Sequence, residues 1–282
     1  MMGRRTGSAL LISALAATAA TTSTPTPQTE GDVRFTVYSD VATIAPGSTF
    51  HLAFEFTIEK DWHIYWLNPG DSGIATSIEI KAPEGFTVGP ILFPGPQRIE
   101  DAGMVSYGYE TAATLIAEVK APEALTPGEA LRFDIRSDWL VCKQTCVLGS
   151  AETTLALKTA EAGQSTRSPD TARLAKAKER LPQPLKEFKV GRAGWSGSAA
   201  SARFDATVPK GFDIEIFPLL VEGVESCPGL VEGLPDGSRR LAWVFDVDVN
   251  RLGPAPPPSV GVVRVKRDDE ERFFDLVPQV GK

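Results

Sequence analysis

Between Thr49 and Ile58 the chain reads TFHLAFEFTI, with Phe50, Leu52, Phe54, Phe56 and Ile58 on one parity. An apolar side chain at every second position has the period of a strand that buries one face; a helix would scatter these residues around its circumference. The alternation recurs at Val33, Phe35 and Val37, and at Trp62, Ile64 and Trp66. Further runs are TSIEI (76–80), ATLIAEV (113–119), LRFDIRSDWLV (131–141) and ETTLALK (152–158). The turn-forming stretches APGS, NPGDSG, APEG, FPGP and LTPGE separate them. Many short half-apolar strands punctuated in this way predict an all-β chain built as antiparallel sandwiches.

The pattern changes after residue 158. TAEAGQSTRSPD reads as a loop, and Ser168, Pro169 and Asp170 read as a helix start. Leu174, Ala177 and Leu181 follow at helical spacing before Pro182 and Pro184 stop the element. After Trp195 the alternation returns at Ala202–Val208, Phe212–Ile216 and Leu241–Val247, then in SVGVVRV and RFFDLV beyond the rigid loop PAPPP (254–258). The division expected is a first domain over 30–160, a linker with one short helix over 161–192, and a second, smaller sandwich of about five strands over 193–282.

MMGRRTGSALLISALAATAATT has the layout of a secretory signal peptide: Arg4 and Arg5, a short apolar run, then small residues. The expected signal spans 1–22, and no other stretch is long and apolar enough to cross a bilayer. The mature chain is thus expected to be exported, to the periplasm in a bacterium, with no membrane span. Net charge is -7, from 29 basic and 36 acidic residues. An acidic balance disfavours nucleic acid and anionic membrane as partners.

Two of the three cysteines, Cys142 and Cys146, lie within WLVCKQTCVL. In one straight strand they would be about 13 Å apart, and a disulfide needs Cα atoms within about 7 Å. Bonding them therefore requires a bend, and Lys143-Gln144-Thr145 is the expected turn. Leu131, Phe133, Ile135, Trp139 and Val141 mark the buried parity of the preceding strand, and Cys142 falls on the other one. Both sulfurs are accordingly expected near the surface. A bridge closing so small a loop restrains the unfolded chain little, and an exposed bridge is more easily reduced. Lys143 would favour a thiolate and Asp138 would oppose it. A structural staple and a redox pair both remain open on this geometry.

WHIYWLNPGDSG (62–73), FPGPQRI (93–99), YGYE (107–110) and DWLVCKQTC (138–146), in that order, resemble the amino-terminal periplasmic domain of the thiol:disulfide interchange protein DsbD, its ScsB-like relatives in particular. The resemblance covers about 33–158, with a weaker match to a second sandwich module beyond. It implies an immunoglobulin-like sandwich with a redox-active cysteine pair. It also implies a thioredoxin-like electron donor and an exported thiol oxidoreductase or disulfide-containing protein as acceptor. Cys142 and Cys146 match the family pair; the resemblance assigns Cys146 to the mixed disulfide and Cys142 to its resolution. Thiol–disulfide oxidoreductase activity of the protein-disulfide reductase type is the activity implied, and it needs no cofactor. Full-length members continue into membrane helices and a thioredoxin-like domain, so electrons are expected from a separate protein. The counterpart of the loop that shields the family's cysteines is expected at Leu67–Ile74 or around Tyr107 and Tyr109.

Rival readings exist for several residues. Gly70-Asp71-Ser72-Gly73 has the form of a serine-protease nucleophile motif. However, only His51 and His63 precede it, with too little chain to build the barrel that such a serine needs. A turn after Asn68-Pro69 is expected instead. His51 and His63 read as surface histidines; the sharper alternative joins one of them to both cysteines as a Cu(I) site. Another alternative is a non-enzymatic binding protein with a structural disulfide. Trp62, Tyr65 and Trp66 read as core and sandwich edge. Cys227 is unpaired by count.

Overall fold

The computed structural model describes residues 28–30, 33–101, 103–197, 201–222, 224–226, 229–247 and 259–278. The expected signal peptide (1–22), Cys227 and the PAPPP loop lie outside the described residues.

The fold is all-β, two immunoglobulin-like sandwiches in series. In the first, one sheet runs Gln28–Glu30, Val33–Ser39, Thr49–Ile58, Ala112–Lys120, Thr87–Leu92. The facing sheet runs Thr43–Ile44, Cys146–Thr159, Ala130–Cys142, His63–Gly70, Met104–Tyr109, Gln97–Asp101, with Ser77–Lys81 also paired to Ala130–Cys142. The alternating residues meet between the sheets as the period-two pattern requires. Phe35, Phe50, Phe54, Phe56, Phe133 and Trp139 are all fully buried. The Trp139 ring stands edge-on to Phe56 at 5.6 Å, and Phe133 edge-on to Phe50 at 5.9 Å. Burying each such side chain contributes about 1.5–3 kcal/mol.

The second sandwich pairs Asp213–Pro218, Gly261–Arg267, Glu270–Asp275 and Gln183–Pro184 in one sheet. Its other sheet holds Arg192–Gly197, Ser201–Val208, Arg239–Val247, Val224–Ser226 and Leu230–Gly233. Nine strands are thus described where about five were expected. The additional ones are short or weakly patterned: Leu230–Gly233 is exposed at all four positions, so no alternation marks it.

The helix spans Thr171–Lys178 and begins later than Ser168 suggests. The Ser168 hydroxyl holds the turn ahead of it: it donates to Ser39 O and accepts from the Asp170 N–H at 3.1 Å. Thr171 Oγ1 reinforces the tie by donating to Asp40 O at 2.9 Å. Leu174, with Ala177 and Leu181 beside it, covers Tyr38, Ala53 and Ile116 on the outer face of the first sheet. The Arg173 guanidinium lies 4.4 Å from the Tyr38 ring centroid and binds Glu55. Burial, and then the Glu55 carboxylate, push the Tyr38 phenol up to about 12. The connecting segment is therefore bolted to the first sandwich.

The two sandwiches also touch directly. Phe217, Val262 and Phe273 join the apolar core of the first one. Phe217 stands edge-on to Tyr107 at 5.5 Å and to Trp66 at 6.4 Å. Asn68 Nδ2 donates to Pro218 O at 2.9 Å, and the Gly95 N–H donates to Arg180 O at 2.9 Å. A Cβ at Gly95 would lie 2.0 Å from the Phe273 ring, so only glycine permits this approach.

Candidate functional site

Ala130–Cys142 and Cys146–Thr159 form one continuous hairpin, in register from Ala130↔Lys158 to Cys142↔Cys146. Lys143-Gln144-Thr145 is the loop, closed by the Lys143 N–H donating to Thr145 O at 3.1 Å. The turn predicted from spacing is present. It brings the two cysteine Cα atoms to 4.1 Å, and the sulfurs are bonded.

The two cysteines differ in setting. Cys146 is exposed, as are Val147 at 46% and Leu148 at 70%. Cys142 is only 3% exposed, which corrects the expectation that both sulfurs lie near the surface. The cause is topological. The strand Ala130–Cys142 is interior to its sheet, so Cys142 is flanked by Cys146 on one side and by His63 on the other. Among the described residues, the strand Cys146–Thr159 is paired on its outer side only at Lys158 and Thr159. Strand parity reports which face a side chain takes but not whether neighbouring strands close over it.

The charges expected to tune the pair are engaged elsewhere. The Lys143 ammonium pairs with Asp61 at 3.2 Å, both at the surface. Asp138 accepts from Arg136 at 2.7 and 3.0 Å, and Arg136 also reaches Glu152 at 2.5 Å. His63 is the titratable side chain in register with Cys142. It is half-buried, its Nε2 is 3.1 Å from the Tyr65 hydroxyl, and the two rings meet edge-on. Burial holds the His63 imidazole below its ordinary pKa, against the pull of Glu110 and Asp101. His51 belongs to the other sheet and is tied to Asp40, with Nδ1 2.9 Å from Oδ2 and the backbone N–H 2.8 Å from Oδ1. Neither histidine is an open surface residue. Among the described residues, no group of three or more His, Cys, Asp or Glu side chains is arranged to hold a metal ion.

The turn expected after Asn68-Pro69 is present. The strand runs on to Gly70, with an irregular register past Tyr65, and the turn begins at Asp71. Asp71 clasps the neighbouring strand: its N–H donates to Val105 O, and its carboxylate accepts from the Val105 N–H, each at 2.8 Å. Gly73 then crosses Tyr65 so closely that a Cβ would lie 2.2 Å from the ring, at a φ of +105°. Thr76 Oγ1 closes the loop on Tyr65 O at 2.9 Å. The loop thus rests on Tyr65, which bonds His63, which flanks Cys142. Of the two shielding candidates, Leu67–Ile74 brings Gly73 against the Tyr65 ring and Asn68 to Pro218 O. Tyr107 instead meets Phe217 at the seam, and Tyr109 is buried with its hydroxyl on Pro94 O at 2.8 Å. Trp62 and Trp66 pack in the core, and Tyr65 is buried outside that core, beside His63. The sequence signal for this clasp was the glycine-rich turn itself, but its partners Val105 and Tyr65 become visible only once the strands are adjacent.

The family described as thiol:disulfide interchange protein DsbD, N-terminal, matches residues 16–158, a span that includes the whole hairpin loop and both bonded cysteines. The chain belongs to this family. The disulfide at the hairpin end is thus part of a thiol–disulfide interchange module. No curated protein matches the sequence. Among solved structures, the N-terminal periplasmic domain of ScsB from Proteus mirabilis aligns over 90% of this chain and 98% of its own, with 15% identity and a TM-score of 0.60. That likeness shows that the two-sandwich fold is shared through both halves. The GAE domain of yeast GGA1 covers 46% of this chain and 97% of its own at 12% identity, but its TM-score of 0.26 carries no weight. Among the described residues no helix is long and apolar enough to cross a membrane.

Proposed function

We propose that the protein is a periplasmic thiol–disulfide oxidoreductase of the protein-disulfide reductase type, acting after removal of residues 1–22. Its redox domain is residues 30–160, carried with the linker (161–192) and the second sandwich (193–282). A thioredoxin-like donor supplies electrons, and an exported oxidoreductase or another disulfide-containing protein receives them.

The observation that supports this most is the asymmetry of the pair. A thiolate attacks a disulfide along the S–S axis, on the side away from the leaving sulfur. The axis crosses from the interior strand to the edge strand. An attacker on Cys146 approaches from beyond that edge, where Val147 and Leu148 are exposed. An attacker on Cys142 would have to come through the His63 strand. Access therefore favours Cys146 as the attacked sulfur.

In the first half-reaction a donor thiolate bonds to Cys146 Sγ, and Cys142 leaves as a thiolate and takes up a proton. The donor's second thiolate then displaces Cys146, leaving the donor oxidised and both cysteines reduced. In the second half-reaction the Cys146 thiolate attacks the acceptor disulfide, and Cys142 displaces the acceptor's sulfur. Two electrons move in each half, and no cofactor enters.

The test is trapping. Cys142→Ser is expected to accumulate a mixed disulfide with an oxidised thioredoxin-fold protein through Cys146, while Cys146→Ser accumulates little by comparison. Equal trapping by the two variants and wild type, read on non-reducing gels, would sink the redox role.

A further inference from the structure

One row of residues crosses the outer face of the cysteine sheet. Cys146 is opposite Cys142, and Cys142 is opposite His63. The next strand pairs Ile64↔Tyr109, and one position along that antiparallel register Glu110 comes opposite His63. Val141, Ile64 and Tyr109 belong to the core of the first sandwich, so their neighbours Cys142, His63 and Glu110 take the other face. Facing residues on adjacent strands hold their Cβ atoms about 4.5–5.5 Å apart, a gap that a thiol and an imidazole together can close. The order along the row is disulfide, imidazole, carboxylate.

The row matters because the two cysteines differ in access to water. Cys146 is exposed, whereas Cys142 is 3% exposed. A thiolate is disfavoured where solvent is excluded. A sulfur as covered as Cys142 therefore needs a neighbour that takes its proton as it attacks and returns one as it leaves. Lys143 and Asp61, the charged residues close by in sequence, hold each other at 3.2 Å. Of the carboxylates that act on the His63 ring, Glu110 acts more strongly than Asp101.

We propose that His63 is the proton acceptor and donor for Cys142 during exchange, with Glu110 and Tyr65 as positioning residues. This rests on the exchange reading above and names the group that moves the proton.

When Cys142 displaces the acceptor's sulfur, its S–H proton passes to the imidazole. Cys142 Sγ bonds to Cys146 Sγ, the bond from Cys146 to the acceptor breaks, and the electron pair leaves on the acceptor's thiolate. When a donor thiolate bonds to Cys146, the Cys142–Cys146 bond breaks, its electron pair goes to Cys142, and the imidazolium returns the proton. Nε2 lies 3.1 Å from the Tyr65 hydroxyl, so Nδ1 is the nitrogen left for sulfur. Its lone pair is available when the neutral ring carries its proton on Nε2 and Tyr65 accepts that proton. Tyr65 is bonded in turn to Ser72, within the loop that rests on it. Glu110 favours the imidazolium once it forms. Burial has the larger effect and holds the ring below its ordinary pKa, so at neutral pH the ring is uncharged and able to accept.

The experiment follows nitrothiobenzoate released when the reduced protein meets dithiobisnitrobenzoate, with Cys227→Ser present to silence the third thiol. The first release reports attack by Cys146, and the second reports Cys142 displacing the bound group. His63→Gln is expected to slow the second release about 100-fold, the lower end of general acid–base catalysis, and to leave the first unchanged. The second release is expected to rise with pH through an inflection below the ordinary histidine value, an inflection absent in His63→Gln. Glu110→Gln is expected to move that inflection to lower pH, because the carboxylate raises it; a merely structural role would not. Equal slowing of both releases, or of neither, overturns the role of His63, as does an inflection that survives His63→Gln. A second measurement needs no variant: the His63 ring titration, followed by NMR in oxidised and reduced wild type. A curve that shifts on reduction supports the thiol–imidazole contact, and identical curves overturn it. If the second release never occurs with His63 in place, the exchange reading itself fails and takes this role with it. Two normal releases without an effect of His63→Gln remove the role of His63 alone.

Discussion

Strand His63–Gly70 has two very different ends. At one, His63 flanks a disulfide whose outer sulfur is exposed, beside open apolar side chains at Val147 and Leu148. At the other, Trp66 meets Phe217 and Asn68 donates to Pro218 O, so that the second sandwich is fastened on. Both ends hold apolar groups and both are crossed by a specific bond. They differ in what covers them. The seam is covered by another part of the same chain; at the cysteine corner Cys142 is covered while Cys146, Val147 and Leu148 are exposed. One strand can thus join a covered seam to a partly exposed corner because strand position, not residue type, decides which apolar groups find a partner within the chain.

The largest effect is expected from breaking the seam. Phe217 is fully buried and touches Trp66 and Tyr107 across the junction. Phe217→Ala should cost about 3–5 kcal/mol in urea unfolding and leave the rate of dithiothreitol reduction of Cys142–Cys146 unchanged. A parallel loss of both would mean that the two ends of the strand are coupled, and the division drawn between them would fall.

Opening the disulfide should cost less. A bridge closing a loop of about five residues restricts the unfolded chain by only about 2 kcal/mol. The hairpin ladder and the Phe56–Trp139 contact are already made without it. Urea unfolding of the reduced protein is therefore expected to show a loss of about 2 kcal/mol or less. A loss as large as that of Phe217→Ala would make the bridge a staple, contrary to the role proposed for it.

What the sequence allowed follows the same division. The period-two runs located the strands that face the cores: Phe50 to Ile58 and Phe133 to Val141 are buried on the parity they predict. The turn at Lys143–Thr145 followed from the reach of a disulfide together with the strand pattern that flanks the cysteines. The edge strands were less legible. Thr87–Leu92, Gln97–Asp101 and Leu230–Gly233 bury little, so burial leaves little alternation in their sequences. Nor could spacing show that Cys142 would be covered while Cys146 was not. That difference depends on which strand is interior, a property of long-range pairing between Cys142 and His63, far apart in the chain. The helix start read at Ser168 fell short for a similar reason: contacts with residues distant in sequence, Ser39 and Asp40, hold Ser168 and Thr171, and the helix begins only at Thr171.

The smallest effect expected is also the one that separates the two regions by sign. Burial raises the pKa of Glu215 at the seam, partly offset by Arg264 and Arg98. Burial lowers that of His63 at the cysteine corner, partly offset by Glu110 and Asp101. Both groups resist their charged forms, but one becomes charged as pH rises and the other as pH falls. For Glu215 the favourable contribution is complete below its unfolded pKa, about 4.3, and is lost as pH rises through the folded value. For His63 the contribution is complete above its unfolded pKa, about 6.5, and is lost as pH falls through the folded value. The pH profile of stability should therefore lose a rising limb below about 6.5 in His63→Gln, and a falling limb above about 4.3 in Glu215→Gln. Urea midpoints measured across pH 4 to 7 for the two variants and wild type read this directly. If both substitutions flatten the same limb, burial is not what sets the two groups apart, and the two shifts would have to be explained by their charged neighbours instead.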